Sequence, residues 1–276
     1  MIQYTGMNGC GFEQHLRAVS RALTSDANVG FRRPDAALAV IVVADEDDCS
    51  LLDPQFLTSD STTLGPLDSF RCTKFGVTCD QSLDEIGTKS NCKPDTTSVW
   101  LQSPQVTLDL LRSLQPNPGS LAVSMLVGPT EPFAIELRAP AAGQTAIPAL
   151  AASCQLLGDV EDQVDDPGIR HAWLAKQLGS HGSTPDVCLA DVSPALATAA
   201  ATVRTALGIS CVSASLTTAQ CIADDGTNPV PACNGATSDC FDFVTDRECP
   251  GALRAIIKGG TLSSAAAVTI RCASGL

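Results

Sequence analysis

The sequence predicts a doubly wound (Rossmann-like) α/β domain followed by a disulfide-rich β extension, on three observations. The run Leu38 to Ala44 (LAVIVVA) is apolar without alternation and β-branched, so it reads as a strand buried on both faces. Helix-like segments alternate with it and with a second such run, Leu121 to Val127 (LAVSMLV), the order of parallel crossover units. From Ile209 the composition changes, with five cysteines between 211 and 249 among Pro, Asp, Asn and Gly. The expected division is therefore 1–208 for the α/β domain and 209–276 for the extension.

In chain order, residues 1–12 are a Gly-rich loop. Phe12 to Leu23 is an amphipathic helix, with Phe12, Leu16, Val19, Ala22 and Leu23 on one face. His15 lies on it and receives no role, because a lone histidine beside an apolar face is usually structural. The strand at 38–44 follows. Residues of about 49–102 form a long excursion that needs staples, which Cys72, Cys79 and Cys92 can supply. Pro104 opens a helix over VTLDLLRSL, since proline in the first turn loses no hydrogen bond. After the strand at 121–127, Phe133 to Leu137 reads as a shorter strand. Asp165, Asp166 and Pro167 start a helix at 168–178, their acids facing the positive end of its dipole, with Trp173 as core anchor. Ser193-Pro194 starts another, stopped by Gly208. LRAIIKGG and AAAVTIRC close the chain as an expected β-hairpin.

Composition narrows the function. The net charge of −13, pI near 4.5 and singly scattered basic residues speak against nucleic acid, whose phosphates need a clustered basic surface. No apolar run approaches the roughly 20 residues of a membrane span. Thirteen cysteines without paired CxxC spacing, beside only three histidines, read as disulfides rather than zinc knuckles. Disulfides imply an oxidising, extracytoplasmic compartment. The opening MIQYTGMNGCGF has neither the basic start nor the apolar core of an export signal, so the chain is expected to lack its natural beginning.

The strand at 38–44 ends on Asp45, Glu46, Asp47 and Asp48. Ligands of open α/β sheets sit at the carboxyl edge of the strands, and carboxylates suit Mg, Mn or Ca. A solvated acidic turn accounts for the same residues, and the local sequence leaves both readings open. Signs of catalysis are weak, as neither a G-x-S-x-G elbow nor an H-E-x-x-H occurs. His171 and His181 with Asp186 and Asp191 could supply a base and its orienter, but their spacing matches no recognised chemistry. Glu46 and Asp48 as a glycosidase pair would lack a second wall. The expectation is a non-enzyme.

GCGFEQ (9–14), LAVIVVADEDDCS (38–50) and SFRCTKFGVTCD (69–80) resemble the cysteine-rich secreted proteins and lipoproteins of bacteria built on a von Willebrand factor type A-like domain. LVGP (126–129), VCLAD (187–191) and the cysteine-flanked end add to the likeness, which spans most of the chain. The resemblance implies a von Willebrand factor A-type sheet, here incomplete at the N-terminus, with the strand at 38–44 at its centre, and a metal-ion-dependent adhesion site (MIDAS) at the strand ends. Asp45 matches that site's third loop. Thr5 lies near the second loop, although the family pattern would put the threonine at the position of Met7. The D-x-S-x-S of the first loop is absent. The implied function is an extracytoplasmic binding or adhesion module with a partial site for Mg, Mn or Ca and an unknown protein or surface ligand as partner. A purely structural surface domain is the alternative, and a secreted hydrolase the remoter one.

Three disulfides are expected on this fold, Cys10–Cys49 at the carboxyl edge, Cys154–Cys188 across the helix at 168–178, and Cys249–Cys272 at the terminal hairpin. With no first strand beside it, the strand at 38–44 exposes one edge, and the isolated polypeptide is expected to aggregate or misfold.

Overall fold

The structure is a computed structural model. It describes residues 11–33, 36–139, 142–156, 163–235, 239–247, 249, 251–259 and 268–272. The chain is mixed α/β and divides into two compact units, Met1–Ala206 and Leu207–Leu276. Six disulfides staple it, three within each unit.

The first unit is built on three parallel strands, β1 (Leu38–Val43), β2 (Leu121–Leu126) and β3 (Gly182–Ser183), in the order β1-β2-β3. Leu38 stands opposite Leu121 and Val43 opposite Leu126, while Gly182 pairs with Val123. The helices of seven or more residues that accompany them are α1 (His15–Thr24), α2 (Phe70–Gly76), α3 (Pro104–Leu114), α4 (Ile169–Lys176) and α5 (Ser193–Ala206). On one face, Val40, Val42, Val123 and Met125 pack against Leu16 of α1, Leu108 and Leu111 of α3, and Leu174 and Ala175 of α4. On the other, Ala195 and Ala199 of α5 lie on Leu126. Small residues let that helix approach β2 closely.

This arrangement corrects the expectation for the first strand. All six residues of β2 are buried, whereas β1 alternates, with Leu38, Val40 and Val42 inside and Ala39, Ile41 and Val43 exposed. β2 is the central strand and β1 the edge. Helix α5 covers β2 and leaves the second face of β1 open, so β-branching made the strand without deciding which faces would be buried. Among the described residues, no strand pairs with the outer edge of β1.

Local chemistry sets the helices. Ser103 accepts a hydrogen bond from the Gln105 amide and Pro104 occupies the first turn of α3. Helix α4 has no acid in its own first turn, contrary to the role expected of Asp165 and Asp166. Asp165 instead lies in a short strand, Gln163–Asp165, paired with Cys154–Leu156. Leu174 and Ala175 anchor the helix in the core, and Trp173 packs only at its margin.

The excursion between β1 and α3 is ordered around Cys49–Cys72 and Cys79–Cys92. Phe56, Leu64 and Leu101 form a core with the first bridge, and the buried Arg71 donates to the Phe56, Thr58, Gly65 and Pro66 carbonyls. Cys49 is thus committed to Cys72, and the expected Cys10–Cys49 bridge does not form. The two partners meet in the small core of the excursion, where both pack with Phe56, Leu64 and Leu101, while Cys10 lies outside the described residues. Cys154 is bonded to Cys188.

In the second unit, Ala252–Lys258 lies between Ser210–Ser213 and Cys240–Thr245, all antiparallel. Cys221–Asp224 lies between Pro229–Val230 and Thr269–Cys272. The two terminal strands therefore belong to different sheets and make no hairpin. Cys249 pairs with Cys211 and Cys272 with Cys221, which overturns the expected Cys249–Cys272 bridge. Cys272 bonds across its sheet to Cys221 on the neighbouring strand, and Cys249, in the loop before Ala252–Lys258, bonds to Cys211 on the strand beside it. Cys233–Cys240 closes the set.

Candidate functional site

The turn after β1 assigns each residue of DEDDCS to a different place. Asp45 is exposed at the strand end, and its carbonyl accepts from the Asp166 amide at 2.8 Å. Asp47 caps α4 from across the sheet, as both its carboxylate oxygens accept from the Arg170 amide at 3.0 Å. Asp48 caps α1 through a 2.9 Å bond from the Leu16 amide, and Ser50 accepts from the Arg17 amide. Carboxylates at helix N-termini satisfy unpaired amides and oppose the dipole. The acids that the helices lack in their own first turns are supplied by this one turn.

Two groupings result. The first is at the carboxyl edge of the sheet, where Asp45 is joined by Glu46, Asp165 and Asp166. Parallel bridges from Gly128 to Pro167 and from Val127 to Asp186 bring the connections to this edge. Burial pushes Glu46 up to about 7, helped by Asp166, Glu13 and Asp45. Burial likewise raises Asp166 to about 7, with Asp47, Asp45 and Asp165 adding to the effect against Arg138. Asp165 rises to about 6 through burial, Asp45 and Asp186. The oxygens are hard donors crowded by like charge, which fits Mg, Mn or Ca. Cys154 and Cys188 lie beside Asp165 but are bonded to each other, so their sulfurs are not thiolate ligands.

The second grouping lies beneath α1 and α4. The Arg170 guanidinium reaches Asp48 Oδ2 at 3.1 Å and also donates to the Gln102 and Gly76 carbonyls. Burial works against the Asp48 carboxylate, but Arg170, His171 and the Ser50 hydroxyl hold its pKa below the usual range. His171 is fully buried, with Nδ1 3.1 Å from Asp47 Oδ1 at an angle that makes no hydrogen bond. His15 Nε2 is 2.7 Å from Glu13 Oε2, and the two imidazole rings are 5.0 Å apart. Burial and His171 lower the pKa of His15, against Glu13 and Asp48.

The sequence-derived candidates are thus dispersed. Thr5 and Cys10 lie outside the described residues. Asp45 joins the acidic edge. His171 meets Asp47 and His15, while His181 touches the Leu121 carbonyl, Asp186 accepts from the Cys188 amide and Asp191 caps Ser193. The imagined base and orienter are therefore committed elsewhere. Asp48 is sealed from solvent by Arg170, so it and Glu46 do not form an open carboxylate pair. Sequence reasoning missed Arg170, Glu13 and the meeting of His15 with His171. Their only signal was the helical placement of both histidines, with no spacing to connect them. The chain matches no protein-family model, no curated protein and no solved structure.

Proposed function

We propose that this protein is a non-catalytic, disulfide-stapled binding module of the cell exterior or envelope, with a von Willebrand factor A-like first unit whose binding face is the carboxyl edge of its parallel sheet. The observation that carries the reading is the convergence of Asp45, Glu46, Asp165 and Asp166 at that edge, with three of the four acids pushed toward protonation. A divalent cation would relieve this crowding, and Asp45 stands where the family resemblance puts a ligand. Once bound, the cation offers a coordination position to a carboxylate of a partner protein or surface ligand. The six bridges fit an oxidising compartment. No helix among the described residues is long and apolar enough to cross a membrane.

Calorimetric titration with Mg2+, Mn2+ and Ca2+ at pH 7.5 tests this. At least one cation is expected to bind with proton release, because Glu46 and Asp166 hold part of a proton near neutrality, and Asp45→Asn is expected to abolish binding. Absence of binding by all three would favour a purely structural, stapled surface domain. The use of Asp47 and Asp48 as helix caps supports that second reading.

A further inference from the structure

The geometry points to a second, separate metal site under α1 and α4, in which His15, His171 and Asp48 hold a transition-metal dication of the zinc class.

One ring nitrogen from each histidine and one Asp48 oxygen lie within 4.8 Å of one another. Each imidazole has a carboxylate at one nitrogen. Glu13 Oε2 stands 2.7 Å from His15 Nε2, and Asp47 Oδ1 stands 3.1 Å from His171 Nδ1. His15 Nδ1 and both nitrogens of His171 are buried with no hydrogen-bond partner, since the Asp47 contact is angled too poorly to make one. Metal-binding histidines characteristically present one nitrogen to the metal and the other to a carboxylate, which orients the ring and raises its basicity. An unpaired nitrogen on a buried ring otherwise leaves its desolvation uncompensated, and a metal removes that cost.

Charge and access agree. Glu13, Asp47 and Asp48 against the single Arg170 leave a formal charge of −2 around two imidazoles, which a dication neutralises. Asp48 Oδ1 already accepts from the Leu16 amide and the Ser50 hydroxyl, so coordination there requires the Ser50 hydroxyl to turn away, while Arg170 keeps Oδ2. His15 and Glu13 are partly exposed and provide the route in. Nitrogen donors with one carboxylate select zinc-class metals over the hard cations expected at Asp45, so the two sites differ in chemistry as well as place.

The experiment uses the full chain with its disulfides intact, treated with EDTA and then iodoacetamide to block any thiol at Cys10. Titration with Co2+ is expected to give one equivalent of tight binding with visible d–d absorption, displaced by Zn2+. The protein has three histidines, so ring-nitrogen NMR gives a direct assignment. Zn2+ should shift His15 and His171 and leave His181 in place. His15→Ala is expected to abolish uptake, whereas Glu13→Gln, which keeps both imidazoles, should weaken it about 10- to 100-fold. Asp45→Asn should leave it unchanged. Failure of the wild-type chain to bind Co2+ stoichiometrically overturns the proposal, as does a shift at His181 alone. Undiminished affinity in Glu13→Gln overturns it as well, even where His15→Ala does not fold.

Discussion

Arg170 and Asp48 form an ion pair sealed from solvent, with Nη2 3.1 Å from Oδ2 and side chains 1% and 0% exposed. The pair joins three parts of the first unit. Asp48 caps α1, Arg170 belongs to α4, and the guanidinium also ties the Gly76 and Gln102 carbonyls of the stapled excursion. Removing the cation strands a buried carboxylate, so Arg170→Met is expected to cost about 3–5 kcal/mol in urea unfolding under non-reducing conditions. The double variant Asp48→Leu/Arg170→Met should lose less than the two single changes combined, because it leaves neither charge alone.

The acidic edge makes stability depend on pH. Glu46 and Asp166 titrate near 7 in the folded protein and near 4 when unfolded. Their folded values are raised, so the folded state binds more protons. Their contribution is fully present below about pH 4 and is lost as pH rises toward 7. Asp166→Asn removes one of these charges. It should raise the urea midpoint at pH 8 and flatten the slope between pH 5 and pH 8. An unchanged slope would show that the acids are not crowded in solution.

Gly182 is required by close approach rather than by its dihedral angles. It pairs with Val123 at the start of β3, and a Cβ there would collide with the Ala175 carbonyl oxygen of α4. The obstacle is backbone and cannot rotate away. Gly182→Ala is expected to cost about 3 kcal/mol, read as a lowered thermal midpoint. Gly143→Ala is not an equivalent control, since Gly143 has φ +82°. Gly11, with nothing near its Cβ position, serves better.

Much of the first unit was legible because its signals are local. Pro104 and Ser103 mark the start of α3, and the apolar run at 121–127 marks β2, where pattern and burial agree. LAVIVV misleads because Ile41 and Val43 are apolar yet exposed, so composition overstates how deeply the strand is covered. The partners of Asp47 and Asp48 lie far along the chain, at Arg170 and Leu16, and no spacing rule reaches them. Disulfides share this limit. Cys249 and Cys272 flank the last strands in sequence, but the sheets that those strands join are set by long-range pairing.

The outer edge of β1 carries the last prediction. The strand bonds to β2 on one side, and no described strand occupies the other. Ile41 and Val43 are 52% and 61% exposed on the face beside that edge, so an unpaired ladder and an apolar surface coincide. Such an edge recruits further strands unless a charge interrupts it. The isolated chain is therefore expected to self-associate with rising concentration in sedimentation velocity. Val43→Lys should shift it toward monomer, because the ammonium would have to be buried in any strand-to-strand contact. The side chain already faces solvent, so folding stability should change by no more than about 0.5 kcal/mol. A wild-type chain that stays monodisperse and monomeric while melting cooperatively would refute the expectation. Association that is unchanged in Val43→Lys would move the sticky surface elsewhere.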